Sequence, residues 1–565
     1  MLVAIALVAV GFSFHEAGAE VFHVATQSDA ASDENPGTVA SPWLTLSHAA
    51  KVVRPGDTVK IHAGIYREQV RPLVGGTAEN PITFEAAGDG EVVLSGADVA
   101  ADWVPSEAKG VWSIDWPHRF RTHPNDEFHR LIGRCEQVIR DGELLKQVLG
   151  RDELKENRFM VDEQAKRLIV MLPEGVDPND GKTEVARRSV AFGYNWGDEP
   201  RDHIHVRGLT FRYGSNTAQR GTLYIVGDHW LIEDCLVEKT NGSGISFSGD
   251  DVVFRRVVSR NNGQQGLGGG GDRFLLEDVR LVGNNTKGFN QSWEAGALKI
   301  VRGKDGVLRR CTALDNAGNG LWFDIDVRDT LVEYCYAEGN DGSGIFVEIS
   351  GGFRVENNLC VGNGTSDEWG TGGIAIAESD NCSIRNNICI GNPTGIALRE
   401  LGPRSFPGMG DRKVVAHLYD ITITNNVCID NSRYQVGLWW DNDFFGPHPS
   451  GARPDRPVYD PDEQNIRIDD NIYSVRSDSG KRQALALWGC PWRKKHLVYG
   501  DLEQWRTERR HDLKSQLVDV MIPKQAAGQE IVPSELAGSV GDRLQAAGID
   551  PKQYGIEYPD RLPSQ

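Results

Sequence analysis

The sequence lacks the features that would direct this protein to nucleic acid or across a membrane. It carries 61 basic against 80 acidic residues, for a formal net charge of −19, and has no long run of Lys or Arg. This balance offers phosphate no electrostatic footprint, so we expect no nucleic-acid partner. No segment reaches the ~20 consecutive apolar residues that a bilayer crossing requires. We therefore expect no membrane span.

Cysteine is also scarce, and its spacing excludes a zinc site. None of the nine cysteines forms a Cys-x-x-Cys pair. Cys311 and Cys335 hold equal places in neighbouring repeats, and Cys360, Cys389 and Cys428 share another place, each after an Asn-Asn-aliphatic triplet. We expect these cysteines to be stacked free thiols, because cysteine favours burial. A disulfide is the alternative that an exported protein would allow.

The composition shows a folded chain with an excess of glycine. Apolar residues make up 39% of the 565 residues, and there are 14 tryptophans, enough for a sizeable core and against disorder. The length alone suggests three or four ordinary domains. Glycine accounts for 64 positions, about 11% against the usual ~7%, which indicates a repetitive architecture.

A repeat organises the chain from about residue 200 to 475. A Gly followed by an aliphatic residue recurs at intervals of 22 to 54 residues. The glycines are Gly244, Gly266, Gly320, Gly344, Gly373, Gly395 and Gly437, and the asparagines that accompany them are Asn241, Asn262, Asn285, Asn316, Asn340, Asn363, Asn392 and Asn431. Short alternating segments lie between these positions, and Asn and Gly tolerate the left-handed backbone of tight turns.

Repeats of short strands and Asn/Gly turns predict a parallel β-helix. The leucine lattice of leucine-rich repeats is absent. We therefore predict an all-β, right-handed parallel β-helix (solenoid) with an N-terminal helical cap, a small α+β insertion and a C-terminal extension.

The predicted domain boundaries follow changes in this rhythm. Residues 1–19 have an apolar run and a small-x-small site at Ala17-Gly18-Ala19, typical of a signal peptide, although no Lys or Arg precedes the run. The remaining predictions are a cap with the first coils at 20–101, an α+β insertion at 102–190 with a helix near 147–157, the main β-helix at 191–475, and an extension at 476–565 packed on the outside. The protein would be secreted or periplasmic.

Several motifs resemble those of exported right-handed parallel β-helix proteins of the pectate-lyase-like superfamily. Ser41-Pro42-Trp43, Pro55 to Val59 and Gly64 to Glu68 resemble the start of such proteins, and the coils from Trp293 to Ser350 resemble a glycoside hydrolase branch that includes β-xylosidase-type enzymes. In that branch the nucleophile and the acid/base are an Asp and a Glu on successive coils. The resemblance therefore implies a carbohydrate-active enzyme, with no cofactor required.

Strand alternation identifies a pair of carboxylates independently of that resemblance. Asp324 and Glu348 both lie four residues after a repeat Gly, so they should point outward one rung apart, at ~4.8 Å. Asp326 would lie diagonally from Glu348, at ~7–8 Å. A carboxyl separation of ~5–5.5 Å goes with a retaining glycosidase, and ~6.5–9.5 Å with an inverting one. The pair Asp324 and Glu348 thus predicts retention, and Asp326 as the partner would predict inversion.

Other outward residues would complete a sugar-binding cleft. The predicted substrate-binding residues are Trp293, Glu294, Lys299, Trp322, Trp369, Arg399, Trp439 and Asp441. The tryptophans would stack on pyranose rings. The alternative for the acids is a set of solvated surface positions or a calcium site formed by Asp324, Asp326 and Glu348, whose hard oxygen ligands suit that ion.

The expected partner is a plant or algal poly- or oligosaccharide, bound by a monomer. A polysaccharide lyase acting on a uronate polymer is the second hypothesis, with Lys299 or Arg399 as the base. No Lys occurs between Lys304 and Lys413, which leaves the acidic coils poor in bases. A non-catalytic polysaccharide-binding surface protein is the third hypothesis.

Overall fold

The computed structural model describes residues 18–118, 131, 134–195, 197–364, 370–401, 404–407, 413–441, 460–475 and 483–518. These residues wind into a right-handed parallel β-helix with three long sheets, which confirms the predicted fold class. Consecutive coils place equivalent strands side by side, as the short period requires. The single long solenoid replaces the several domains that the chain length suggested.

Three sheets, here called sheets 1, 2 and 3, form the walls. Sheet 1 has 13 strands: Val21–Val24, Thr58–Ile61, Ile82–Ala86, Ile204–Arg207, Leu231–Glu233, Val253–Arg255, Leu275–Glu277, Val307–Arg309, Leu331–Glu333, Arg354–Glu356, Asp380–Arg385, Tyr419–Thr424 and Arg467–Asp469. Sheet 2 has 12 strands: Phe192–Gly193, Gly221–Val226, Ser243–Ser248, Gln265–Gly270, Gly296–Lys304, Asn319–Arg328, Ile345–Glu348, Ile374–Ala377, Thr394–Glu400, Tyr434–Trp440, Ala484–Cys490 and Lys495–Tyr499. Sheet 3 has 13 strands: Gly64–Tyr66, Val92–Ser95, Thr210–Arg212, Leu236–Glu238, Val258–Arg260, Arg280–Val282, Thr312–Leu314, Tyr336–Glu338, Leu359–Val361, Ile388–Ile390, Val427–Ile429, Ile472–Ser474 and Gln516–Leu517.

A buried asparagine ladder supports the turns that lead into sheet 2. Each side-chain amide donates to the side-chain oxygen of the next rung at 2.8 to 3.2 Å, along Asn262, Asn284, Asn316, Asn340, Asn363, Asn392 and Asn431. Two of the asparagines that accompany the repeat glycines, Asn241 and Asn285, are not members of this ladder. Their neighbours Thr240, whose hydroxyl donates to Asn262, and Asn284 occupy those rungs.

A second asparagine ladder and the cysteine stack lie on the sheet 3 side. Hydrogen bonds of 2.9 to 3.1 Å join the side-chain amides of Asn358, Asn387, Asn426 and Asn471. They come just before the strands in which Cys360, Cys389 and Cys428 pair rung by rung. All nine cysteines are free and buried, which confirms the expected stack of thiols.

The outer face of sheet 1 carries an ionic row whose charge alternates from rung to rung. Its first eight members pair in register, with nitrogen–oxygen distances of 2.6 to 4.0 Å between neighbours. They are Lys60, Glu85, Arg207, Glu233, Arg255, Glu277, Arg309 and Glu333. Opposite charges on adjacent strands are favourable cross-strand pairs.

The insertion departs from its α+β prediction. Its described residues form two small, largely antiparallel sheets with a separate core around Trp103, Trp116 and Phe159. The strands are Ala97–Val99, Glu143–Leu144, Val138–Arg140 and Thr183–Ala186 in one sheet, and Val104–Pro105, Val111–Asp115, Lys146–Gln147, Arg158–Asp162 and Arg167–Met171 in the other. The helix predicted near 147–157 is wrong, because a single 3₁₀ turn at Arg151–Glu153 occupies that stretch. A further hairpin pairs Arg404–Pro407 with Lys413–Ala416.

Helices cover the two ends of the solenoid. Helix α1, Leu46–Val52, is the predicted cap, and the side chain of Thr45 accepts a hydrogen bond from its first turn. Helix α2, Leu502–Arg509, has Asp501 as its N-cap and buries Trp505 in the main core. Two further 3₁₀ turns lie at Pro461–Glu463 and Pro491–Arg493. No helix in the described part of the chain has the length and apolar character needed to cross a membrane.

The β-helix extends beyond the predicted boundary at residue 475. Ala484–Cys490 pairs in parallel with Tyr434–Trp440, and Lys495–Tyr499 then returns antiparallel along it. Gln516–Leu517 adds the last strand of sheet 3. The described part of the extension therefore completes and closes the coils rather than packing along their outside, because an open last coil would leave unpaired backbone.

Candidate active site

Asp324 and Glu348 lie on neighbouring strands of sheet 2. Phe323 pairs with Val347, so the residues that follow them, Asp324 and Glu348, occupy adjacent rungs. Leu321 and Phe323 are fully buried in the core. Alternation therefore turns the two acids to the outer face, as the sequence predicted.

The carboxylate of Asp324 is paired with Lys299 on the preceding coil. Lys299 Nζ lies 2.8 Å from Asp324 Oδ2 and 4.0 Å from Glu294 Oε1. It also lies 3.7 Å from the ring centroid of Trp322, a cation–π contact. The side chains of Lys299 and Asp324 are each only 8% exposed, so this ion pair is sheltered from bulk water. Lys299 thus holds the Asp324 side chain in one position.

Glu348 is held from two sides. Trp322 Nε1 donates to Glu348 Oε2 at 3.2 Å, and Arg399 Nη2 donates to Glu348 Oε1 at 3.1 Å. Arg399 also lies 3.8 Å from Glu378, a fully buried carboxylate that accepts a bond from the backbone of Leu401. Arg399, predicted as a substrate-binding residue, is thus placed against two carboxylates. Glu378 is not among the predicted site residues, because it lies five residues after its repeat Gly, whereas Asp324 and Glu348 lie four residues after theirs.

The indole of Trp322 connects the two acids. The face of its ring contacts Lys299, which is the ion-pair partner of Asp324, and the indole N–H donates to Glu348. Its ring also stacks on Phe346, with centroids 5.6 Å apart, and Trp322 is 4% exposed. The prediction that Trp322 is a sugar-stacking platform is therefore wrong for this structure. The ring is part of the packing that fixes both carboxylates.

Asp326 is separated from this pair by a β-bulge. The register with the preceding strand shifts between Val301 and Gly303, and both Ile325 and Asp326 have positive φ. Such a bulge ends simple alternation of side chains. Asp326 accepts a bond from Arg328 at 3.0 Å, and Arg328 also contacts Asp380 at 2.8 Å. The structure thus places Asp326 in a buried ion-pair network, and its prediction as an alternative catalytic partner of Glu348 is not supported.

The other predicted platforms also differ from expectation. Trp439 is 2% exposed and packs with Ala375, Ala397 and Leu487, so it presents no ring face to a ligand. Trp293 is half-buried and packs beside Phe289. Trp369 lies outside the described residues. Strand alternation cannot reveal such burial, because side chains from neighbouring coils and loops cover the outward rings.

Asp441 serves a structural purpose rather than the predicted substrate contact. It is 6% exposed and accepts hydrogen bonds from Trp492 Nε1 at 2.7 Å and Arg493 Nε at 2.8 Å. Both donors belong to the 3₁₀ turn after the strand Ala484–Cys490. Asp441 therefore anchors the closing segment of the β-helix.

A pocket of about 270 Å³ adjoins the acid pair on the N-terminal side. Its lining includes Lys299 and Glu294, both predicted, and polar residues of earlier coils that the sequence did not single out. These are Gln219, Arg220, Tyr224, Ser246, Ser248 and Gln265. Arg220 donates to the hydroxyl of Tyr224 at 3.1 Å. The pocket offers hydroxyl, amide and charged groups, the mixture that orients a polar ligand.

Glycines form the floor of this pocket. Gly268 and Gly269 line it and lie in the strand Gln265–Gly270. A Cβ on Gly269 would lie 2.2 Å from the backbone oxygen of Phe247, and Gly269 has a φ of +156°. Gly268 pairs with Lys299, and because it has no side chain the outer face is recessed beside Lys299. The run of glycines was therefore the feature of the sequence that could have indicated the pocket.

The described residues contain no group of three or more Asp, Glu, His or Cys side chains arranged to hold a metal ion. Asp324, Asp326 and Glu348 do not form the ligand set suggested for calcium, since Asp326 turns to Arg328. The three acids are instead balanced by Lys299, Arg328 and Arg399.

Comparison with known proteins agrees with the fold. A family model described as "Right handed beta helix region" matches residues 221–388. A solved structure, the complex of XylC with xylose, is 19% identical with a TM-score of 0.62, covering 83% of this chain and 86% of that chain. A structure described as a glycoside hydrolase is 13% identical with a TM-score of 0.42, covering 75% of this chain and 94% of the other.

One curated protein shares a short segment with this chain. The uncharacterized protein YwoF of Bacillus subtilis (strain 168) is 42% identical over 69 residues, which are 12% of this chain and 15% of that protein's length. The family model and the structural likeness to XylC agree that this chain is a right-handed parallel β-helix protein.

Proposed function

We propose that this protein is a carbohydrate-active enzyme, a glycoside hydrolase that cleaves a plant or algal poly- or oligosaccharide with Asp324 and Glu348. The observation that carries the proposal is the pair of carboxylates on adjacent rungs, each held by a cation, beside a polar pocket of about 270 Å³. The neighbour with bound xylose shares the fold and supports a saccharide as the ligand.

The spacing of adjacent strands favours a retaining reaction. Neighbouring strands lie ~4.8 Å apart, close to the ~5–5.5 Å carboxyl separation of retaining enzymes. In the first step Glu348 donates its proton to the leaving oxygen while a carboxylate oxygen of Asp324 bonds to the anomeric carbon and the glycosidic bond breaks. In the second step Glu348 accepts a proton from water, whose oxygen displaces Asp324 from that carbon.

The surrounding residues orient both carboxylates. Asp324, whose side chain is 8% exposed, is the more buried acid, and Lys299 of the pocket lining holds one of its oxygens at 2.8 Å. Glu348, whose side chain is 12% exposed, lies on the side nearer the solvent and is oriented by Trp322 and Arg399. Residues of the pocket would hold the sugar on the N-terminal side of the pair. Export to the periplasm or the medium completes the proposal, since such polymers lie outside the cell.

The decisive experiment compares Asp324→Asn, Glu348→Gln and Asp326→Asn on a substrate that the parent cleaves. We expect the first two variants to lose at least 100-fold in kcat/KM, while Asp326→Asn, whose carboxylate faces Arg328, keeps most of the activity at a temperature where it is folded. Azide should rescue Asp324→Gly by displacing the leaving group directly, which gives a glycosyl azide of inverted configuration. The hydrolysis product of the parent should retain the anomeric configuration by NMR. Full activity in both Asp324→Asn and Glu348→Gln would refute the pair.

A polysaccharide lyase is the competing reaction, because Lys299 and Arg399 stand beside the acids and could act on a uronate. Both cations are engaged with carboxylates in the structure, which favours hydrolysis. Ultraviolet absorbance from unsaturated ends would identify the lyase, reducing sugar without such absorbance would identify the hydrolase, and neither product would indicate a binding protein.

A further inference from the structure

A second cavity, of about 420 Å³, opens at the C-terminal end of sheet 2. Its described lining includes Trp440, Trp488, Lys494, Lys495, His496 and Arg509. Three of these residues are Lys or Arg and one is His, and no acidic residue is among the described lining residues. The chain as a whole carries a net charge of −19. A basic concavity on an acidic protein concentrates positive potential where an anion would bind.

The lysines of this cavity are held on an ordered backbone. The strand Lys495–Tyr499 runs antiparallel to Ala484–Cys490, with Lys495 opposite Cys490 and His496 opposite Gly489. The close approach of these two strands requires glycine at position 489, since Gly489 has a φ of +119° and a Cβ there would lie 2.4 Å from the backbone oxygen of Lys495. The basic side chains thus project from a hydrogen-bonded strand.

The turn before that strand is fixed as well. It comprises Pro491–Arg493 and ends at Lys494, which has left-handed backbone angles. Asp441 anchors the turn through Trp492 and Arg493, as described above. The buried carboxylate of Asp441 therefore positions Lys494 and Lys495 without lining the cavity itself.

Aromatic surface accompanies the charge. The guanidinium carbon of Arg509 lies 5.4 Å from the centroid of the Trp488 ring, and Trp440 is half-buried beside it. Arg509 is engaged with Asp462 at 3.6 Å and with the hydroxyl of Tyr499 at 2.9 Å. Lys494 and Lys495 are exposed. Trp488 is 5% exposed and Arg509 lies over its ring, so Trp440 is the more accessible of the two rings. An aromatic ring next to exposed ammonium groups suits a sugar that carries a carboxylate.

The cavity lies on the same sheet as the acid pair. Glu348 pairs with Ala377, and the row continues through Arg399 and Trp439 to Gly489. Four rungs at ~4.8 Å separate Glu348 from Gly489, about 19 Å. One polysaccharide chain of several residues could therefore reach both places.

We propose that this cavity is a second carbohydrate site, which binds a uronate-containing oligosaccharide through Lys494 and Lys495 and places a sugar ring against Trp440. The site takes no part in bond cleavage and does not depend on the identity of the catalytic residues. It would retain an acidic polymer near the enzyme.

Isothermal titration with tetragalacturonate, and with cellotetraose as the neutral probe, tests the proposal. The titrations use the full chain with Glu348→Gln, so that neither tetramer is cleaved by the proposed pair. We expect tetragalacturonate to bind at least 10-fold more tightly than cellotetraose and to weaken with added salt. Lys494→Ala/Lys495→Ala should reduce its affinity at least 10-fold.

Lys109→Ala/Lys155→Ala is the matched control, because it removes the same charge from exposed lysines of the insertion. It should bind tetragalacturonate like the parent. The single variant Lys495→Gln keeps the test valid if the double variant unfolds early in a thermal scan. Equal binding of the two tetramers, unchanged binding in the lysine variants, or displacement by equimolar inorganic phosphate would each overturn the proposal. Because binding is measured without turnover, failure of the proposed hydrolase activity would leave this result interpretable.

Discussion

Replacing Asn316 with alanine should weaken the β-helix at its middle. The Asn316 side chain is 1% exposed and takes part in five hydrogen bonds. It donates to the backbone oxygens of Leu281 and Leu314 and to Asn340 Oδ1, and it accepts from the backbone and side-chain N–H groups of Asn284. Alanine removes all of these bonds and leaves the buried backbone N–H of Asn284 without its acceptor.

The expected loss follows from these contacts. Loss of the hydrogen bonds made by the two amide protons of Asn316, and of the one from the Asn284 side chain, costs about 1 kcal/mol each net. The buried N–H left without an acceptor costs a further ~1–3 kcal/mol. The free energy of unfolding should therefore fall by about 4–6 kcal/mol, a large share of the ~5–15 kcal/mol that stabilises a typical protein. The exposed Asn80 makes no such ladder bond, so Asn80→Ala should change stability by less than ~0.5 kcal/mol.

Urea unfolding of the parent and the two variants measures these differences, and hydrogen exchange locates them. Faster exchange should centre on the coils from Leu281 to Asn340, because a solenoid coil contacts only its neighbours. Asn316→Asp gives a second check. Its carboxylate would face the carbonyl oxygens and lose the donated bonds, so the variant should be least stable at neutral pH and recover on acidification. A loss below 1 kcal/mol for Asn316→Ala would refute this account of the ladder.

Two further properties can be predicted. Burial lowers the pKa of His511, which packs between Trp488 and Trp505, to about 4 from the usual 6.5. Its neutral form therefore contributes stability that is fully present above about pH 6.5 and is lost as the pH falls toward 4, by roughly 3 kcal/mol. His511→Gln should lack this acid-dependent loss in calorimetry, and identical pH profiles of the two proteins would contradict the assignment. The nine buried thiols should be unreactive toward an aromatic disulfide reagent in the native protein, and all nine should react after denaturation without reductant. Fewer than nine would indicate a disulfide.

The fold could be predicted because it repeats. Glycines and asparagines at regular intervals marked the turns, and one consistent period over many coils outweighs an ambiguity in any one coil. The repeat does not tell which of Asn284 and Asn285 enters the asparagine ladder, because two neighbouring asparagines are chemically equivalent in sequence. Only the structure distinguishes them, since Asn285 has left-handed backbone angles and bonds instead to Phe289 and Ala317.

The site could be predicted only where strand alternation holds. Asp324 and Glu348 precede the bulge, so counting from the repeat glycine placed them correctly. Asp326 follows Ile325, a β-branched residue with a φ of +55°, an arrangement that is uncommon and leaves no periodic signal. The pocket was missed because its walls come from four coils whose polar residues share no motif.

The ionic row on sheet 1 has a consequence for how this solenoid can lengthen. Because charge alternates at each of its first eight rungs, deleting or duplicating a single coil there would bring two like charges into register. Removing or adding two consecutive coils would preserve every pairing of opposite sign. Each of these half-buried surface pairs contributes little, typically about 0–1 kcal/mol. The row as a whole nevertheless favours an even number of coils between any two like charges in register. Growth or engineered shortening in this region should therefore proceed in units of two coils.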